Sequence, residues 1–351
     1  MRRGNRASDL SVNESPKDTG IKRRIYYISS FQNDILQVHH FPIDITIIYL
    51  VTLPPMSSMM NKSTEIVNIG SYSEYKKYIS DNKDILCERS RIEKDIYDKA
   101  KDRYNGFCYA CNKPRYFVID FKTIVDKGFL NWREQLYCPY CELNNRMRAA
   151  YFLIRETLKP ADNQTCYITE QISPLYFLLK KQIRNLTGSE HLGSKYSFGN
   201  SYWLYRRWTH LYRIRNETLE SLSFRESTFD YIFSFDVFEH IQNYQSSFME
   251  CFRCLKSGGI LFFSVPFTLD SNADRLLEIS WMEGKSESSQ LEYHANPLSK
   301  QKCLCYHHFG WDLLSELERI GFQDVRATFL WSTVYAHLGQ GVVFIFAVRP
   351  I

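Results

Sequence analysis

Beyond Pro160, short apolar runs alternate with segments of helical period, the pattern of a sheet wound with helices on both faces. The predicted strands are Thr165–Thr169, Asn185–Gly188, Tyr231–Phe235 and Ile260–Val265. A helix over Trp311–Ile320 is broken by Gly321-Phe322, and two last strands follow, near Val325–Trp331 and Gly341–Val348. These two are close enough in sequence to pair as an antiparallel hairpin. Upstream the texture differs. Between Ser73 and Lys101 apolar residues (Tyr75, Tyr78, Ile79, Ile85, Leu86) recur at roughly helical spacing, which predicts two short helices. Tyr116–Phe121 reads as a strand, and a helix starts at Asn145. Residues 1–60 hold no sustained period and are expected to be a disordered leader, or an extension upstream of a working start at Met59 or Met60. An ordered extra element is the alternative.

With 44% hydrophobic and 24% charged residues in 351, the chain is ordinary globular protein with room for one large and one or two small domains. The predicted division is a leader over 1–60, a helical segment over 61–104, a cysteine module over 105–150 and a large α/β domain over 151–351. A net charge of +5 permits a phosphate-bearing partner without arguing for one. The longest apolar stretch, Ile43–Leu53, carries Asp44 and ends at Pro54-Pro55. It falls short of the roughly 20 residues a spanning helix needs, so no membrane partner is expected.

Two Cys-x-x-Cys pairs, Cys108/Cys111 and Cys138/Cys141, lie 26 residues apart. Each pair turns both sulfurs to one side, and two pairs make a closed four-thiolate site of the kind that holds structural zinc. With all four positions cysteine, no coordination site is left open for catalysis. Paired disulfides or unpaired core thiols are the alternatives. The other six cysteines show no pairing pattern, which fits a reducing, cytoplasmic compartment. Cys251 and Cys254 fall inside a helix and read as packing. Cys303, Cys305, His307 and His308 fit no common metal spacing.

The most informative run is Leu219–Phe267. Ser227-Thr228-Phe229-Asp230-Tyr231-Ile232 enters a strand ending at Phe235-Asp236, and Val237-Phe238-Glu239-His240-Ile241 is expected to open a helix. Arg253-Cys254-Leu255-Lys256-Ser257-Gly258-Gly259 then turns into Ile260–Phe267. This run resembles the class I S-adenosylmethionine-dependent methyltransferases, in particular the type 11 group, whose fourth strand ends in a comparable motif. The wider chain, with its cysteine pairs, Asn131-Trp132-Arg133-Glu134, Tyr167-Ile168-Thr169-Glu170 and Phe309-Gly310-Trp311-Asp312, looks like a bacterial subgroup of zinc-bearing methyltransferase-domain proteins. The resemblance implies a doubly wound, Rossmann-like α/β sheet closed by an antiparallel hairpin and preceded by a small zinc-ribbon-like module. It implies S-adenosylmethionine as cofactor beside structural zinc.

In such a sheet the ligand crevice lies beyond the carboxyl ends of the strands. That places Glu190 to bind ribose hydroxyls, a solvated turn glutamate being the bland alternative, and Asp236 to face the cofactor's methionyl end or the acceptor. If a helix begins at Asp236, His240 shares a face with it; a capping or packing histidine is the bland alternative. With His240, Asp236 and His294 are the candidate catalytic residues, His294 belonging to an insertion over 268–308 where this fold often shapes its substrate. One departure stands out. Where the family carries a glycine-rich turn after its first strand, this chain has Thr169-Glu170-Gln171-Ile172-Ser173-Pro174, with no glycine. Either the cofactor sits differently, with Thr169 and Glu170 contributing, or the domain has lost methyl transfer. The acid after the third strand is likewise shifted or missing, Asn216-Glu217-Thr218-Leu219 offering Glu217 but no aspartate.

Tyr202–Arg215 interleaves aromatics with four arginines, as single-stranded RNA binding would need; the bland alternative is an amphipathic segment over the cleft. Three functions follow from the whole. The first is methyl transfer to a sugar, glycan precursor or small metabolite. The second is an RNA methyltransferase using the zinc module and the arginine–aromatic segment. The third is an inactive binding protein on the same fold.

Overall fold

The computed structural model describes residues 64–100, 102–120, 131–206, 210–270, 275–276, 293–295, 302–340 and 342–351. The expected leader over 1–60 and most of the 268–308 insertion lie outside them. The described residues open with β1 (Thr64–Ile69), α1 (Tyr72–Asp81) and α2 (Lys83–Lys99), followed by the hairpin β2 (Arg103–Cys108) and β3 (Lys113–Val118). Next come α3 (Asn145–Leu153), β4 (Cys166–Ile168), α4 (Pro174–Lys180) and β5 (Leu186–Gly188), then a second hairpin, β6 (Ser201–Arg206) and β7 (His210–Arg215). The remainder is β8 (Phe229–Phe235), α5 (Tyr244–Cys254), β9 (Leu255–Ser264), the short strands β10 (Arg275–Leu276), β11 (Tyr293–Ala295), β12 (Lys302–Leu304) and β13 (His307–His308), α6 (Asp312–Ile320), β14 (Gln323–Ser332) and β15 (Val343–Val348).

Seven strands form the main sheet in the order β1-β14-β15-β9-β8-β4-β5. β5, β4, β8 and β9 run parallel, and β15 and then β14 add antiparallel. Beyond β5 the sheet extends by one parallel bridge, Glu190 to Asn216, at the place of a third strand. Near-continuous apolar strands such as Phe229–Phe235 are buried on both faces, as parallel strands are. One face (Tyr167, Ile232, Phe263, Ile345) packs with α5 and α6, the other (Cys166, Ile168, Phe233, Phe344) with α3 and α4. The doubly wound sheet and its closing hairpin are thus as the sequence predicts.

Four local expectations change. The predicted 116–121 strand is β3, three residues earlier. α2 runs 17 residues rather than being short. β1, unforeseen, pairs with β14 at the sheet edge. The arginine–aromatic segment, given no element from sequence, forms the hairpin β6–β7, with Trp203 opposite Arg213 and Tyr205 opposite Leu211. It occupies the place of the helix that would otherwise cross from the second to the third strand.

Candidate active site and candidate metal centre

Each cysteine pair turns tightly, because the residue after it adopts left-handed backbone: Asn112 (φ 50°) and Glu142 (φ 59°). The four sulfurs converge to within 4.8 Å of one another. Cys108 Sγ lies 3.7 Å from Cys141 Sγ, and Cys111 Sγ 3.8 Å from Cys138 Sγ. Zn–S bonds of about 2.3 Å put tetrahedral sulfurs about 3.8 Å apart, so the set fits zinc and none of the four is disulfide-bonded. Among the described residues it is the one cluster of at least three metal-ligating side chains. Buried Arg148 supports it. The guanidinium donates to the Tyr335 and Ala336 carbonyls at 2.6 and 2.8 Å and lies over the Phe117 ring. Burial pushes its pKa down to about 10 against the pull of the four cysteines.

The module's chain then reaches the crevice. Arg133, before the second cysteine pair, bonds Asp236 at the end of β8, and Arg146, in the first turn of α3, reaches the other Asp236 oxygen at 3.1 Å. Glu134 joins the cluster through Arg146 Nε at 3.0 Å, and Ser264 donates to Asp236 at 2.8 Å. Burial opposes the Asp236 charge, but the two arginines outweigh it and hold the carboxyl well below the usual range. So Asp236 is held as an anion between two cations.

Asp236 adopts left-handed backbone (φ 54°), which ends the strand without starting a helix. Phe238–His240 makes a single tight turn, and α5 begins only at Tyr244. The expected helical face shared by Asp236 and His240 is therefore absent. His240 instead sets Nδ1 2.8 Å from the Leu304 carbonyl. A carbonyl only accepts, so Nδ1 carries a proton, and Nε2 lies 3.8 Å from Glu239 Oε1. Burial, with the Asp236 charge adding, raises the Glu239 pKa well above the ordinary carboxyl value. His294 lies in β11, opposite Cys303; its side chain lies outside the described residues.

The glycine-free turn is closed on itself. Glu190 Oε1 accepts from the Gln171 and Ile172 amides at 2.6 and 3.0 Å. The Gln171 side chain bridges to β7, donating to the Arg213 carbonyl at 2.9 Å and accepting from the Arg215 amide at 2.8 Å. Thr169 donates to Ser234 at 3.0 Å. The tolerance that glycine would give the turn sits one strand away. A Cβ on Gly188 would meet the Tyr176 ring at 2.6 Å and the Glu170 carbonyl at 2.9 Å. Glu217 is buried and held by Arg215 Nε at 2.6 Å and by the Ser223 amide at 3.0 Å.

Glu170 is pushed up to about 7 by burial, with the Glu190 charge adding. Its Oε1 and Arg146 Nη1 are enclosed without a hydrogen-bond partner. A group offering an ammonium and a carboxylate, as the methionyl end of S-adenosylmethionine does, would satisfy both. The nucleoside end fits less well, since the turn's amides and Glu190 Oε1 already pair. Sequence reasoning singled out Asn131–Glu134 as a motif but assigned Arg133, Glu134 and Arg146 no role. No periodicity could mark a contact made 103 positions away.

Residues 194–263 match the family model described as a methyltransferase domain. A comparison with curated proteins finds no match. Solved structures with a likeness include a Haloferax volcanii complex of the Trm112 methyltransferase activator with a methyltransferase (14% identity, TM-score 0.37, covering 59% of this chain and 91% of that one). A Listeria monocytogenes S-adenosylmethionine-dependent methyltransferase is 11% identical (TM-score 0.36, 58% and 100%). A Haemonchus contortus phosphoethanolamine N-methyltransferase bound to S-adenosylmethionine is 13% identical (TM-score 0.32, 57% and 52%). The matched stretch and the strand order together give a methyltransferase-like fold. Over that stretch the chain is similar to a methyltransferase domain.

Proposed function

We propose that the crevice transfers a methyl group to a hydroxyl or amine of a sugar, glycan precursor or small metabolite. S-adenosylmethionine supplies the activated methyl on a sulfonium. Glu170 and Arg146 hold its methionyl end, with Thr169 and Glu190 beside them, and Asp236 fixes Arg133 and Arg146. His240 Nε2 takes the acceptor's proton. The observation that carries the reading is the pair of enclosed atoms without a hydrogen-bond partner, Glu170 Oε1 just after β4 and Nη1 of Arg146, whose Nε meets Asp236 after β8. Cysteines that form no disulfide support a reducing, cytoplasmic setting, and no helix among the described residues is long and apolar enough to cross a membrane.

Calorimetric titration with S-adenosylmethionine and its demethylated product tests the reading. Binding is expected in the wild type and lost in Glu170→Gln together with Arg146→Met. His240→Gln should keep binding and lower turnover by about 10²–10⁴-fold. A folded wild type that binds neither compound overturns it and leaves a binding protein on the same fold.

A further inference from the structure

The hairpin β6–β7 has two unlike faces. Its inner face is tied to the body: Ile214 is buried, Tyr212 packs on Phe177 and Tyr202 on Tyr196. Arg215 is clamped by Glu217 at the hairpin base. The outer face is bare. Trp203 is 64% and Tyr205 69% exposed, with Leu211 beside them, and neither ring packs on another ring among the described residues. Arg213 stands directly opposite Trp203 on the same face.

Two exposed large aromatics on a rigid ribbon cost solvation that a monomeric surface normally avoids, and such patches mark binding surfaces. The charge decides what binds. Arg213 gives this face a cation, and residues 201–215 hold no acidic residue and, besides the Glu217-paired Arg215, three arginines, which favours a polyanion. Residues two apart on a strand face stand roughly 6.7 Å apart, a spacing that lets successive unpaired bases each take one ring. Double-stranded nucleic acid hides its base faces and could use only the arginines.

We infer that the outer face of this hairpin is a binding platform for single-stranded RNA. Bases stack on Trp203 and Tyr205, and Arg213 contacts phosphate. The inference stands apart from methyl transfer in the crevice, because the two bind different probes through different residues.

The test is fluorescence anisotropy with a short labelled oligouridylate and the full chain. Trp203→Ala and Tyr205→Ala should each weaken binding by about tenfold or more. Arg213→Ala should flatten the salt dependence, lowering the slope of log affinity against log salt by about 0.7. Both rings are solvent-exposed, so melting temperatures should be unchanged and S-adenosylmethionine binding unaffected. Heparin, a polyanion without bases, and duplex RNA should compete poorly. Ring variants that bind as tightly as wild type overturn the inference, as does equal competition by heparin. Self-association that the ring variants abolish, without RNA binding, overturns it too and assigns the face to a second copy of this chain.

Discussion

The cysteine module and the turn at 169–174 both bring distant groups together, yet only one of them announces it in sequence. In the module, four side chains must present one atom type at fixed spacing around one ion, and tight turns put each pair in register. That demand leaves a local, repeated signature. In the crevice, the Glu190 carboxylate takes the amides of Gln171 and Ile172, and Asp236 takes arginines from the module. Either arrangement could be built from other residues at other positions. A centre whose chemistry fixes its ligands is legible; a crevice satisfied by interchangeable hydrogen bonds is not.

The largest expected effect tests the module. Sequence spacing predicts that metal loss unfolds 105–145 and spares the sheet. The packing ties the two: buried Cys108 and Cys138 pack with Ala336 and Leu338, and Arg148 holds the same segment. Cys138→Ser, or chelation, is therefore expected to cost most of the fold's stability. Zinc in such sites contributes on the order of 10 kcal/mol. One zinc per chain by elemental analysis, and a cooperative loss of far-UV signal with chelator, would check it. A two-step melt in which the sheet keeps its transition would restore the separate-module view.

Next in size is the bridge between the regions. Asp236→Asn leaves Arg146, 6% exposed, facing a neutral partner. Removing one member of a buried ion cluster costs about 3–5 kcal/mol, and denaturant titration reads it. A loss below about 1 kcal/mol would mean that Glu134 alone satisfies both arginines and that the crevice does not depend on the module.

How much was readable follows the same line. The alternating apolar runs placed the central strands and the closing hairpin, since burial of a whole strand imposes composition. The 201–215 ribbon was not foreseen as strands because its period-two pattern exposes aromatics instead of burying them, and no Asn-Gly or Asp-Gly marks its turn. The helix expected at Asp236 failed for a backbone reason, a left-handed residue needed to bring the carboxylate under two arginines.

A smaller effect separates burial from ion pairing within the crevice. Glu170 has its pKa raised from 4.5 to about 7, so the folded chain holds this proton more tightly than the unfolded one. Stability is then undiminished below about pH 4.5, falls as pH rises toward 7, and levels off above it. The total is about 3 kcal/mol. Glu170→Gln should flatten that slope and be more stable than wild type at pH 8. Unchanged pH dependence would show that Glu170 is already ionised and paired.

The last and smallest effect asks where the missing glycine went. The turn at 169–174 can carry side chains because β5 gives way instead: Gly188 lies against the Glu170 carbonyl and the Tyr176 ring. In Gly188→Ala the Tyr176 ring could swing aside, but the carbonyl at 2.9 Å is backbone and moves only with the turn. Overpacking of this kind costs about 1–3 kcal/mol. Any shift of the turn also lengthens the bonds from the Gln171 and Ile172 amides to Glu190. Hydrogen exchange at those two amides should therefore speed up more than exchange in β8. Equal protection in variant and wild type would mean that the turn keeps its shape without the glycine, and that the crevice is as rigidly specified as the cysteine module.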